Sequence, residues 1–343
     1  MRFLSYASHM LPNTKSPDGP GARYISAAAS EVSRRGGDRR DLFRLDPALK
    51  QSEPSAAPAR PRMAAGDMRN VDLQTVAGFG REWARFPQGA ELPPSDHLTI
   101  FEAYFALFPW HALPSDSVGM DIGCGSGRWA MLVAPRVGHL HLVDPSPEAL
   151  DVAQRNLAAH DNVTFHLASV ADLPVSDRSL DFAYALGVLH HVPDTVAAIQ
   201  SVARKLKAGA PFLVYLYYAF DNRPTWYRGL WRLSDLLRRS ISRSSPGVQR
   251  ALTACIAATI YWPLARSAAL LARMGLPTDS WPLSAYAERS FYVMRTDAHD
   301  RFCTPLEKRF TRGEIETMLT QAGFRNIRFS DRAPYWCAVA FKA

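Results

Sequence analysis

The chain has 343 residues, 47% of them hydrophobic and 21% charged, a balance ordinary for a soluble globular protein and sufficient for one large domain with additions or for two domains. A net charge of +8 points to an anionic partner or surface, but much of the excess is local, so a uniformly basic protein is excluded. Cys124, Cys255, Cys303 and Cys337 lack CxxC or metal-ligand spacing, so we expect reduced thiols in a cytoplasmic protein and no metal site. Residues 1–70 are rich in Ser, Ala, Pro, Gly and Arg without apolar periodicity, which predicts a disordered arm. Its start, MRFLSYASHMLPN, is too short and broken for a secretory apolar region, and a start nearer Met63 or Met68 is an alternative.

Order is expected from Val71. In FGREWARF, Phe79, Trp83 and Phe86 recur at helical spacing, and a second helix is expected over His97 to Trp110. The stretch Val118 to Arg128, VGMDIGCGSGR, then combines three elements. Val118, Met120 and Ile122 suit a buried strand, and Asp121 sits near its end. Gly123, Gly125 and Gly127 alternate through a tight loop in which positive φ and close ligand approach are tolerated. A helix start follows at Arg128 to Val133, with Pro135 as its stop. Strand, glycine loop and helix N-terminus form a nucleotide-type cofactor site. The dinucleotide fingerprint G-x-G-x-x-G fails, because Arg128 stands at its third glycine.

The pattern present, D-x-G-x-G-x-G, resembles motif I of the class I S-adenosylmethionine-dependent methyltransferases. Strands and helices then alternate as for a parallel sheet. Strands are expected over His139 to Asp144, Val163 to Leu167, Leu180 to Leu186 and Pro211 to Tyr218, with helices over Pro147 to His160 and Thr195 to Leu206. Asp144, 23 positions after Asp121 and followed by Pro145, can accept two hydrogen bonds from a ribose diol, or it caps the next helix. The stretch ASVADLPVSDRSLDFAYALGVLHHVPD is similar to the G-D-A-x-x-L-P-F…F-D-x-V…V-L-H-H run of the methyltransferase group that includes ubiquinone and menaquinone biosynthesis enzymes. By that resemblance Ser169 replaces the usual adenine-binding acid, with the Val170 backbone as alternative, and Leu186–Gly187 meets the methionine moiety. His190 and His191 fall near the methyl group, as base or as loop hydrogen-bonding residues. FGREWARF is similar to a stretch preceding the fold in many bacterial methyltransferases, which implies that Trp83 lies across the cofactor mouth; simple packing is the alternative.

Between the fifth strand and a capping box at Thr311 and Glu314 lie about 90 residues that the core fold does not require. On a helix from Pro224 to Ser240, Trp226, Leu230, Leu233 and Leu237 share one side, opposite Arg228, Arg232 and Arg239. From Arg223 to Arg273 there are nine arginines against one acid, Asp235. Ala251 to Ala272 is strongly apolar, but Pro263 and Arg266 argue against a membrane-spanning helix. The insertion is either a helical cap packed on the sheet domain or a cap that also lies on the inner membrane face. No nucleic-acid module accompanies the charge, so no nucleic acid is expected. Ser290 to Phe310 is expected as a loop, and Tyr217, Tyr218, Asp221, Tyr286, Tyr292 and Trp336 as acceptor-pocket candidates. A helix ending at Gly323 and strands over Asn326 to Ser330 and Tyr335 to Phe341 close the chain, the last strand antiparallel.

The expected fold is therefore a Rossmann-like seven-stranded α/β methyltransferase sheet with a helical insertion after the fifth strand. Its divisions are an arm (1–70), a cofactor-binding core (71–222), a substrate cap (223–304) and a C-terminal completion (305–343). The expected function is methyl transfer from S-adenosylmethionine to a small-molecule or lipid-like acceptor. A non-catalytic module that binds the cofactor or a partner, and an NAD-dependent oxidoreductase, are the rivals.

Overall fold

The computed structural model describes residues 68–343 apart from 90, 91, 224, 279 and 280, so the arm lies outside the described residues except for its last three. Two of those three already touch the core. Arg69 pairs with Asp172, and Asn70 donates to the Asp194 carbonyl (2.8 Å) while accepting from the Asp194 N–H (2.7 Å).

Helix α1 (Leu73–Arg85) is opened by Asp72, whose side chain accepts from the Thr75 N–H, and it packs against α4. Helix α2 (Pro94–Tyr104) ends earlier than the apolar pattern suggests, and a 3-10 turn at Trp110–Ala112 leads to the sheet. The core alternates as expected: β1 (Val118–Ile122), α3 (Ala130–Val133), β2 (His139–Asp144), α4 (Pro147–Asn156), β3 (Val163–Leu167), β4 (Phe182–Leu186), α5 (Thr195–Lys205) and β5 (Pro211–Tyr215). Ser146 and Asp194 cap α4 and α5 through their side chains.

The insertion supplies α6 (Thr225–Ile241), α7 (Pro246–Ile256), a π turn at Ala257–Tyr261, α8 (Trp262–Arg273) and α9 (Phe291–Cys303). After it come α10 (Arg312–Gln321), with the expected capping box, and strands β6 (Phe324–Phe329) and β7 (Ala338–Lys342). The sheet order is β3-β2-β1-β4-β5-β7-β6, with β7 antiparallel to both of its neighbours. Strands β4 and β5 are buried along their whole length, as central strands covered on both faces must be.

Two expectations are corrected. Residues 290–310 are only in part a loop, at 304–309: Ser290 caps α9, which runs through the middle of the insertion and is buried on nearly every side. The apolar side of α6 does not pack on the sheet domain either. Trp226, Leu230, Leu233 and Leu237 are exposed at 53%, 43%, 60% and 54%, while Asp235, Arg238 and Ile241 are the residues turned inward. Pro263 does not end the apolar stretch: it falls just after the π turn at Ala257–Tyr261, and the helix continues despite the missing N–H. Pro246–Arg273 is one continuous helix of 28 residues, long and apolar enough to cross a membrane by length and composition.

Gly119 on β1 pairs with Phe182 on β4, and a Cβ at Gly119 would lie 2.0 Å from the Phe182 ring. Gly119→Ala should therefore overpack the central strands and cost about 1–3 kcal/mol, read as a lower midpoint in chemical denaturation. An unchanged midpoint would contradict this packing.

Candidate active site

The site starts at the C-terminal ends of the central parallel strands. The Gly123 and Cys124 N–H groups donate to the Val143 carbonyl (2.7 and 3.1 Å), folding the glycine loop back over β2. The Gly125 N–H then donates to Asp144 Oδ2 (2.9 Å), and the Ser146 N–H donates to Asp144 Oδ1 (2.8 Å). Gly125 sits at φ +55°, and a Cβ there would meet the Trp83 indole nitrogen at 2.8 Å. Only glycine fits that close approach. At the loop's far end, His97 Nε2 donates to the Arg128 carbonyl (2.6 Å).

Electrostatically the loop rests on two buried acids. Burial pushes Asp121 up to about 8, against the Tyr184 hydroxyl beside it. Burial likewise pushes Asp144 to about 6, with the Ser146 and Gly125 N–H groups opposing it.

A cavity opens above the loop. Of the residues expected to bind cofactor, Gly123, Gly125, Asp144, Pro145, Leu186 and Gly187 line it together, joined by Trp83 and His191. Asp121, Gly127, Ser169 and Val170 are not on its wall; Ser169 Oγ is engaged locally, accepting from the Ala171 N–H (3.2 Å). Among the acceptor candidates, Tyr217 and Tyr286 stand just behind the wall and donate to Asp300 Oδ2 and Asp297 Oδ2, each at 2.6 Å. Tyr218, Tyr292, Asp221 and Trp336 lie elsewhere, Trp336 donating to Asp221 at the surface (2.7 Å).

Five charged groups on the wall were not anticipated: Asp72, Glu82, Arg128, Asp297 and Asp300. Burial, then repulsion by Asp300 and Asp297, holds Glu82 well above the usual carboxylate range, and Glu82 Oε1 has no hydrogen-bond partner. Burial pushes Asp297 to about 7, against the bond from Tyr286. The missed signal was the spacing of Asp297 and Asp300, three apart and so on one face of a helix. No group of His, Cys, Asp and Glu able to hold a metal occurs among the described residues.

The two histidines have different surroundings. His191 Nδ1 lies 2.6 Å from the Leu306 carbonyl, which can only accept, so Nδ1 carries the proton and Nε2 keeps its lone pair. His190 is fully buried against Tyr217, with ring centroids 3.8 Å apart, and does not line the cavity. Burial lowers both histidines below the ordinary value, His190 further.

Similarity to known proteins agrees with this arrangement. Residues 120–209 match the family described as a methyltransferase domain. The chain is 33% identical to the uncharacterized methyltransferase YcgJ of Bacillus subtilis over 105 residues, covering 30% of this chain and 42% of that protein. It is 33% identical to the O-methyltransferase rstn1 of Aspergillus nomiae over 95 residues, covering 26% and 42%. It is 30% identical to a demethylmenaquinone methyltransferase of Staphylococcus aureus over 93 residues, covering 26% and 39%. The chain thus spans about two fifths of the length of these relatives. The solved structure of YcgJ aligns over 66% of this chain and 70% of its own, at a TM-score of 0.41 and 17% identity. A backbone cradle that a Cβ would fill, a buried carboxylate at the end of β2 and a wall of buried carboxyls whose ionised form a sulfonium and an ammonium would favour fit S-adenosylmethionine as the cofactor. With the D-x-G-x-G-x-G loop and the sheet order in agreement with the family match, residues 120–209 form a methyltransferase domain.

Proposed function

We propose that this protein transfers a methyl group to a protic oxygen or nitrogen of a small-molecule or lipid-like acceptor, with His191 as the base. The observation that carries this reading is the fixed His191 tautomer, which leaves a buried, unpartnered Nε2 on a residue of the cofactor cavity wall. When bound, S-adenosylmethionine supplies the methyl group on a positively charged sulfur. The chain's own residues hold and align the partners and exclude water. Asp144 accepts the ribose hydroxyls, the glycine-loop and Leu186–Gly187 backbones flank the methionine moiety, and Trp83 covers the loop. His191 Nε2 takes the proton of the acceptor as its lone pair attacks. Asp300, held by Tyr217, favours the resulting imidazolium.

A specific observation supports a membrane-associated acceptor. All but Leu73 and Leu98 of the large exposed apolar side chains among the described residues lie between Trp226 and Phe291. Exposed apolar patches of this kind mark interaction sites. The arginines Arg228, Arg232 and Arg239 are exposed on the same helix, a combination suited to an anionic interface. Contact with the surface fits better than crossing, because Arg266 on the long helix is held inside the fold by the Ala287 and Arg289 carbonyls (2.7 and 3.0 Å). A peripheral place at the inner membrane face follows from this reading.

The reaction is tested by incubating the protein with methyl-labelled S-adenosylmethionine and, separately, aqueous and lipid extracts of cells lacking it. Cofactor binding without label transfer to any compound would favour the non-catalytic module. Gly125→Val and Asp144→Ala should each weaken S-adenosylhomocysteine binding by about 1.5–3 kcal/mol in calorimetry; parental affinity in both folded variants would contradict the cofactor site. His191→Asn keeps a donor for Leu306 and should lower kcat by about 10²–10⁴-fold with little change in cofactor affinity. In the parent, His191 is neutral at pH 7, so the rate should fall only as pH drops below about 6.5, and the variant should lack this acid limb. Leu230→Ser, Leu233→Ser and Leu237→Ser combined should abolish cosedimentation with phosphatidylglycerol vesicles; parental sedimentation would sink the membrane contact.

A further inference from the structure

Beside the cofactor cavity lies a second hollow whose chemistry the methyl-transfer reading does not use. A groove of about 900 Å³ runs between α1, the start of α7 and the end of α9. It shares three wall residues with the cofactor cavity: Thr75, Phe79 and Glu82. Arg81 and Arg85 from α1 and Arg250 from α7 line it, and Arg243 lines an adjoining hollow that also includes Arg81. None of these four arginines has an acidic partner among the described residues. All four are exposed.

Two further features reinforce the positive field. The N-terminus of the 28-residue helix opens into the groove through Pro246 and Gly247, and its N-cap, Ser245, makes no side-chain bond to the first turn. Such a terminus presents N–H donors and the positive end of the helix dipole. On the groove wall, burial and then the charges of Arg85, Arg250 and Arg81 push His299 down to about 4. Glu82 is the carboxylate on this wall, and its burial favours the protonated form, so it does not offset the arginines.

Unpaired guanidinium groups around a helix N-terminus are donors for a tetrahedral oxyanion. We propose that this groove binds a phosphate or diphosphate group of the acceptor, anchoring it beside the cavity in which the methyl group is transferred. This assignment rests on the methyltransferase reading above. The phosphate can belong to a soluble ester or to a lipid headgroup at the interface.

The test uses the full chain saturated with S-adenosylhomocysteine. Inorganic pyrophosphate is titrated calorimetrically at low salt into the parent, into Arg81→Gln/Arg85→Gln/Arg250→Gln, and into Arg204→Gln as a remote control on α5. Pyrophosphate should bind the parent and the control alike, and the triple variant at least tenfold more weakly, with cofactor affinity and thermal midpoint retained. A parallel arm measures sedimentation with phosphatidylglycerol vesicles. A triple variant impaired toward pyrophosphate alone identifies a soluble phosphate; one impaired toward vesicles as well identifies a lipid-borne one. A triple variant that handles both probes like the parent, or a parent that binds neither, overturns the groove assignment. A parent that fails to bind S-adenosylhomocysteine overturns the methyltransferase reading and the acceptor role with it, a result separate from the pyrophosphate and vesicle arms.

Discussion

One buried carboxylate, Asp144, fixes the geometry on which the rest of the site depends. The sheet brings the ends of β1 and β2 side by side but does not set the path of the loop that leaves β1. The bonds from the Gly125 and Ser146 N–H groups to the two Asp144 oxygens do so, tying the glycine loop to the start of α4. An ionised carboxylate in so dry a place is costly unless donors surround it. The two backbone donors supply part of that compensation, and a cofactor ribose would supply more. The same pressure acts on Asp121 below the loop and on Glu82, Asp297 and Asp300 above it, so the cavity as a whole favours a ligand that brings positive charge.

The parts of this arrangement that were legible in the sequence are those whose chemistry is local. The glycine loop, the acid at the end of β2 and the alternation of strand and helix each occupy a few consecutive residues, and the structure places the core elements in the expected order, although α4 ends four residues before His160 and β5 three before Tyr218. Helix α9 was not legible. A helix buried on all sides carries no amphipathic stripe, and polar residues such as Asp297, Asp300 and Arg301 read as a loop when their partners lie far along the chain. Tyr217, 83 positions away, is what makes Asp300 tolerable there. The orientation of α6 was illegible for a related reason. Periodicity says which residues share a side of a helix, not which side looks inward.

That orientation follows from a charge network rather than from apolar burial. On the inner side of α6, Arg238 pairs with Asp235 (2.7 Å) and donates to the Thr304 and Pro305 carbonyls (2.8 and 3.1 Å). Arg301 and Arg309 flank Glu307 at 3.4 and 2.8 Å; burial opposes the ionised form of Glu307, but the two arginines more than offset it and hold it at about 2. Such a network adds little net stability over a well-packed apolar core, yet removing one partner strands the others without water. Its value is positional. The segment it clamps, residues 304–309, supplies the Leu306 carbonyl that fixes the His191 tautomer, and the Lys308 N–H donates to the His190 carbonyl. The insertion is therefore tied by these bonds to the histidine loop and is not a detachable cover. Turning its charges inward to orient the histidine loop is also what leaves the leucines and Trp226 on the outside, so one packing choice accounts both for the fixed His191 tautomer and for the apolar surface.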